Sequence, residues 1–152
     1  MNGSPSELSD DSLIAMIQAS QSTPTKIATA EVFDRLANFN EIFSHLESKP
    51  DVPALIYRDS TGAINWASIG NRLVVGRAPT GKGTDWSLLR MDDEEMSRQH
   101  FEIIREKDGL FSVSDCDSTN GLFIDGSKAD TALLIGGTEI RAGRTTFFFT
   151  GI

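Results

Sequence analysis

The sequence predicts an all-β sandwich or barrel over its C-terminal two thirds, preceded by a short α-helical extension. Three observations carry this. Short β-type apolar runs recur from Ala54 onward. Turn residues separate them at close intervals, and no helical period lies between them. Ahead of them, Lys49-Pro50-Asp51-Val52-Pro53 reads as a linker, which divides the chain into an extension (1–50) and a β domain (51–152).

Taken in order, residues 1–9 (MNGSPSELS) have the composition of a disordered start. Asp10 or Asp11 is placed to cap a short helix to about Ser20, with Leu13, Ile14 and Ile17 on one face. QSTPTK then breaks the pattern. A second helix is predicted from about Ala30 to Ser48, with Thr29 as N-cap and Glu31 favourable in its first turn. Val32, Leu36, Phe39, Phe43 and Leu46 form a heptad stripe that Phe33 and Ile42 widen. That face either docks on the body of the protein or supports self-association through 30–48. The helix must stop before Pro50, because the residue preceding proline avoids the helical region.

The β runs are ALIYR (54–58), RLVV (72–75), FEIIRE (101–106), LFSVSD (110–115), LFI (122–124), TEIRA (138–142) and TTFFF (145–149). Ser60-Thr61-Gly62, Lys107-Asp108-Gly109, Asp125-Gly126, Gly136-Gly137 and Ala142-Gly143-Arg144 supply turns between them.

Composition excludes several functions. The net charge of −8 argues against duplex nucleic acid, although 11 of the 14 basic residues fall in 51–152, enough to hold one phosphate. No apolar run reaches the roughly 18 residues of a membrane span. The N-terminus has no basic region followed by an apolar stretch, so no signal peptide is expected. The single cysteine, Cys116, cannot form an internal disulfide, which suits a cytoplasmic location. It also has no metal-ligand partners, so neither metal nor cofactor is expected. No nucleophile elbow or other catalytic set appears, and the chain reads as a non-enzyme.

Four clusters fall in turns: Gly76-Arg77, Ser97-Arg98-Gln99-His100, Ser118-Thr119-Asn120-Gly121 and Gly143-Arg144. Loops on a rigid scaffold are the usual place for binding residues. Arginine forks, hydroxyl donors and glycines that admit backbone N–H groups are what an isolated phosphate requires. Singly, Arg77 reads as a solvated strand-end charge and Ser118–Gly121 as a tight turn. Arg144 is expected to serve only the end of its hairpin.

At these residues the sequence resembles the forkhead-associated (FHA) domain family, from about Ala54 to Phe149. The resemblance lies in the Gly-Arg after an early strand, SRQH, STNG, the LFIDG hairpin and GTEIRAG. It implies an eleven-stranded β-sandwich that binds phosphothreonine peptides at its loop end. It implies that Arg77 and Ser97 contact the phosphate, that Arg98 adds a cationic or backbone contact, that Thr119 lies beside the phosphothreonine, and that Asn120 bonds the peptide backbone. Gly76 and Gly121 would be conformational, and His100 would brace the loops without touching ligand. Thr138 departs from an acid common in the family and puts only local stability in doubt. Asp92-Asp93-Glu94-Glu95 reads as a solvated acidic loop or as a selectivity device, with Glu95 favouring Lys or Arg after the phosphothreonine.

The implied role is a phosphothreonine-dependent adaptor whose ligand a Ser/Thr kinase creates. The alternative is a scaffold of the same fold that ignores phosphate. Thr23 or Thr25 in the extension could itself be phosphorylated and fold back or engage a second copy, against an ordinary linker. A further alternative is nucleotide binding, since Gly76 to Lys82 fits GxxxxGK. Gly83 then stands where the magnesium-binding role needs Ser or Thr, and TDWSLL is a poor helix.

Overall fold

The structure is a computed structural model and describes residues 36–151. The expected helix at 10–20, the start of the second helix, and Thr23 and Thr25 lie outside the described residues. The chain divides into two units between Asn38 and Phe39.

Eleven strands follow one helical segment, α1 (36–44). They are β1 (Ala54–Arg58), β2 (Ile64–Ser68), β3 (Arg72–Gly76), β4 (Trp86–Arg90), β5 (Phe101–Arg105), β6 (Phe111–Asp115), β7 (Leu122–Ile124), β8 (Ser127–Lys128), β9 (Thr131–Leu134), β10 (Glu139–Ala142) and β11 (Thr145–Phe149). One sheet runs β2-β1-β11-β10-β7-β8 and the other β4-β3-β5-β6-β9. Among the described strands, only β3 and β4 pair in parallel. This is the expected eleven-stranded sandwich.

Alternation aims one face of each strand inward. Leu55, Phe147, Phe149, Ile140 and Leu122 from the first sheet meet Leu73, Val75, Phe101, Ile103, Phe111 and Val113 from the second, all buried. Phe101 packs edge-on against Phe147 with centroids 5.3 Å apart, and Phe111 lies against Phe149 at 5.5 Å.

β1 and β11 are apolar on both faces, and this is why their sequences run together instead of alternating. Ile56 and Phe148 face each other across the pair on the outer side. Phe39, Ile42, Phe43 and Leu46 cover them, with Trp66 at the margin. The apolar stripe of the second helix is therefore engaged within the chain over 39–46.

That helix stops at Ser44, earlier than the expected Ser48. His45 and Leu46 close a tighter turn through bonds to the carbonyls of Ile42 and Phe43. Lys49 then satisfies the Leu46 carbonyl, and the Trp66 indole holds that of Ser48 at 2.7 Å. The segmentation from sequence also omitted β2, β4, β8 and β9. β4 and β9 are edge strands with one exposed face, so their apolar content is diluted; Leu88 and Leu133 are both exposed. Thr138 is buried in place of the acid. Its hydroxyl donates to the Ile135 carbonyl and accepts the Ile135 N–H, so the turn is satisfied.

Phe148 belongs to the interface between sheet and helix. Phe148→Ala should destabilise the protein by about 3–5 kcal/mol in urea unfolding.

Candidate functional site

Strand direction brings the predicted residues to one end of the sandwich. Gly76 ends β3 and Arg77 follows it. Ser97, Arg98 and His100 lie in the β4–β5 loop, and Thr119, Asn120 and Gly121 lie in the β6–β7 loop. Hydrogen bonds between these loops show that all eight residues belong to one assembly.

Gly76 is required by contact. A Cβ there would sit 2.0 Å from the Arg98 carbonyl oxygen. This close approach lets Arg77 N–H donate to Ser97 O at 2.9 Å and Ala78 N–H to Arg98 O at 3.1 Å. Gln99 then anchors the β3–β4 loop by accepting from both the N–H and the hydroxyl of Thr80. That loop holds the GxxxxGK segment and leads into β4, not into a helix, so the phosphate-binding architecture of a P-loop is not built.

His100 is fully buried. Its Nδ1 accepts the Ser97 N–H at 3.1 Å, so Nε2 carries the proton and donates to the Gly121 carbonyl at 2.7 Å. The ring thus joins the β4–β5 and β6–β7 loops from below. Gly121 has φ +89°, a conformation that favours glycine, and its N–H is taken by the Ser118 hydroxyl.

Above the histidine, the donor groups are already oriented. Arg77 gives its Nε–H to the Met96 carbonyl at 3.2 Å, which pins the guanidinium of an otherwise exposed side chain. Ser97 Oγ accepts the Thr119 N–H at 3.0 Å, so its own proton is directed elsewhere. Asn120 donates to the Glu95 carbonyl at 2.8 Å and is exposed. Thr119 and Arg98 are exposed beside them. The surface is a shallow set of hydroxyl, amide and guanidinium donors, suited to an anion carried on an extended chain.

Sequence reading missed Asp93. Within the acidic run it looks solvated, yet it is only 6% exposed. Its carboxylate accepts from the Glu95 N–H, the Arg144 N–H and the Thr145 hydroxyl. Burial alone would raise its pKa, but these hydrogen bonds and the Arg144 charge hold it below the ordinary aspartate value. Asp93 therefore ties the β4–β5 loop to the β10–β11 turn. Gly143, at φ +59°, is needed there because a Cβ would lie 2.8 Å from the carboxylate. Arg144 does more than end a hairpin: its Nε binds Glu95 Oε2 at 2.7 Å. The only advance signal was the Asx-turn spacing of Asp93 to Glu95.

Cys116 is half-buried, and burial together with Glu102 and Asp115 pushes its thiol up to about 11, so it stays protonated. No group of three or more His, Cys, Asp or Glu among the described residues is placed to hold a metal ion. No helix among them is long and apolar enough to cross a membrane.

Residues 73–143 match the family model described as the FHA domain. The glycogen accumulation regulator GarA of Mycolicibacterium smegmatis is 32% identical over 81 residues, covering 53% of this chain and 51% of that protein. The chain thus spans about half the length of the curated relatives it matches. A solved structure from work on phosphothreonine-dependent FHA domain interactions aligns with TM-score 0.52 and 23% identity over 66% of this chain and 96% of its own. The FhaA FHA domain complexed with the intracellular domain of Rv3910 aligns with TM-score 0.51 and 24% identity, over 64% and 98%. At these identities the solved structures establish the fold.

Two outcomes test the geometry. The low pKa of folded Asp93 means its stabilisation is present above about pH 4, the unfolded aspartate value, and is lost as pH falls through the lower folded value. Urea unfolding from pH 7 to pH 2 should show a steeper acid limb for wild type than for Asp93→Asn, whose stability at pH 7 should be lower by about 1–3 kcal/mol. Gly76→Ala should cost about 1–3 kcal/mol in the same assay, because backbone must move to admit the methyl group.

Proposed function

This chain carries an FHA domain, and on that premise we propose that it is a phosphothreonine-dependent adaptor module, a binder and not a catalyst, acting in Ser/Thr-kinase signalling. The observation that carries the reading is the prepared donor set. Arg77 is held through Nε with its fork free, beside a Ser97 hydroxyl whose acceptor side is already used.

A phosphate ester brings about −1.5 to −2 charges at neutral pH. Arg77, the Ser97 hydroxyl and Arg98 would meet it. Each charge-assisted bond contributes roughly 1.5–3 kcal/mol. Three such bonds, less desolvation, are compatible with micromolar affinity, about −8 kcal/mol. Because these donors are fixed before the ligand arrives, little ordering cost falls on binding. Asn120 would exchange its bond to the Glu95 carbonyl for the peptide backbone. Thr119 would line the space that receives the threonine methyl group. GarA, named as a regulator, and the FhaA FHA domain, complexed with an intracellular domain, support the reading. A Ser/Thr kinase upstream would create the ligand, in keeping with a cytoplasmic setting.

Calorimetric titration with a degenerate phosphothreonine peptide pool is the test. Wild type should bind at micromolar level, and Arg77→Ala should weaken binding by about 10–150-fold, matching one charge-assisted bond. Phosphoserine counterparts should bind about fourfold more weakly, for the lost methyl group. Equal binding of phosphorylated and unphosphorylated pools, or of neither, would replace the reading with a phosphate-independent scaffold.

A further inference from the structure

Beside the donor set, one acidic side chain, that of Glu95, is already occupied. The backbone of Glu95 is fixed on both sides: its carbonyl accepts from Asn120, and its N–H is held by Asp93. Its carboxylate therefore projects at the edge of the site. Arg144, from the β10–β11 turn, takes that carboxylate through Nε. The Arg144 side chain is 78% exposed and that of Glu95 47%.

We propose that Arg144 is a specificity-determining residue of the peptide site, masking Glu95 from basic residues that follow the phosphothreonine. The inference rests on the reading of this surface as a phosphopeptide site. Glu95 alone would reward a Lys or Arg at its edge of the site. With Arg144 in place, such a residue reaches the carboxylate only by displacing the guanidinium. Displacement is feasible, because exposed ion pairs are weak and screened by salt.

The fold also provides a place for the displaced group. Arg144 lines an open groove of about 640 Å³ with Arg58, Asp92, Asp93 and Glu94. Asp93 is committed to the turn, but Asp92 and Glu94 are exposed carboxylates on the same loop. Only the Arg144 side chain need swing, since its backbone N–H stays on Asp93. An acidic peptide residue would meet the two terminal nitrogens of Arg144, which the contact through Nε leaves available. The Glu95–Arg144 pair therefore flattens charge selectivity at a position where Glu95 by itself would impose it.

The test uses the full chain and three phosphothreonine peptides that differ only in carrying Lys, Ala or Asp at the four positions after the phosphothreonine. Affinities are measured for wild type, Arg144→Ala, Glu95→Ala and the double variant, with circular dichroism to establish that each is folded. The expected result is a Lys-to-Ala affinity ratio within about twofold for wild type, rising about three- to fivefold in Arg144→Ala. The ratio should return to near one in Glu95→Ala and in the double variant, and the rise should shrink at high salt. An unchanged ratio in Arg144→Ala, or a rise that persists in the double variant, overturns the inference while leaving the phosphopeptide reading intact. Failure of wild type to bind any of the three peptides overturns that reading and this inference together.

Discussion

The imidazole of His100 is the constraint on which the loop end of the sandwich depends. It is fully buried, and each ring nitrogen has one partner, the Ser97 N–H on one side and the Gly121 carbonyl on the other. A buried polar group without its partners is costly, so the two loops cannot drift apart cheaply. Ser97 and Gly121 in turn fix the neighbours that face outward. The Ser97 hydroxyl receives the Thr119 N–H, and Gly121 sets the turn that presents Asn120. The candidate surface is thus positioned by a residue that it hides.

Asp93 plays the matching part on the other flank. One buried carboxylate gathers three donors from two segments about fifty residues apart in sequence. Between them, His100 and Asp93 hold the β4–β5 loop at both ends, and this loop supplies Ser97, Arg98 and the carbonyl that orients Arg77. The loops are irregular in backbone yet densely bonded, so the donors they carry are held in place.

Much of this was legible in the chain. Glycine beside Arg77, the SRQH run and the STNG turn each marked a loop, and the structure brings them together. β-type runs with inward alternation, such as FEIIR and FSVSD, gave the core strands directly. Edge strands were less legible because only one of their faces is buried: INWAS and WSLLR lack a continuous apolar run. The roles of Asp93 and Arg144 could not be read, since a buried carboxylate and a solvated one look alike in an acidic run. Which it is depends on a hairpin that arrives from far along the chain. The tighter turn that ends α1 at Ser44 depends likewise on Leu46 finding a place on β1 and β11.

The placement of β11 bears on how the molecule forms. It lies in the interior of its sheet, between β1 and β10, and pairs Leu55 with Phe149. The strand made last in the sandwich is therefore one that the first cannot do without. Contacts so distant in sequence cannot form early, because the intervening loop must close first. Until they form, β1 and β10 each present an open edge, and the helix has no surface of Ile56 and Phe148 on which to rest. Assembly of this domain is thus governed by its final hairpin, and a nascent chain must keep two apolar strands apart from other chains until that hairpin emerges.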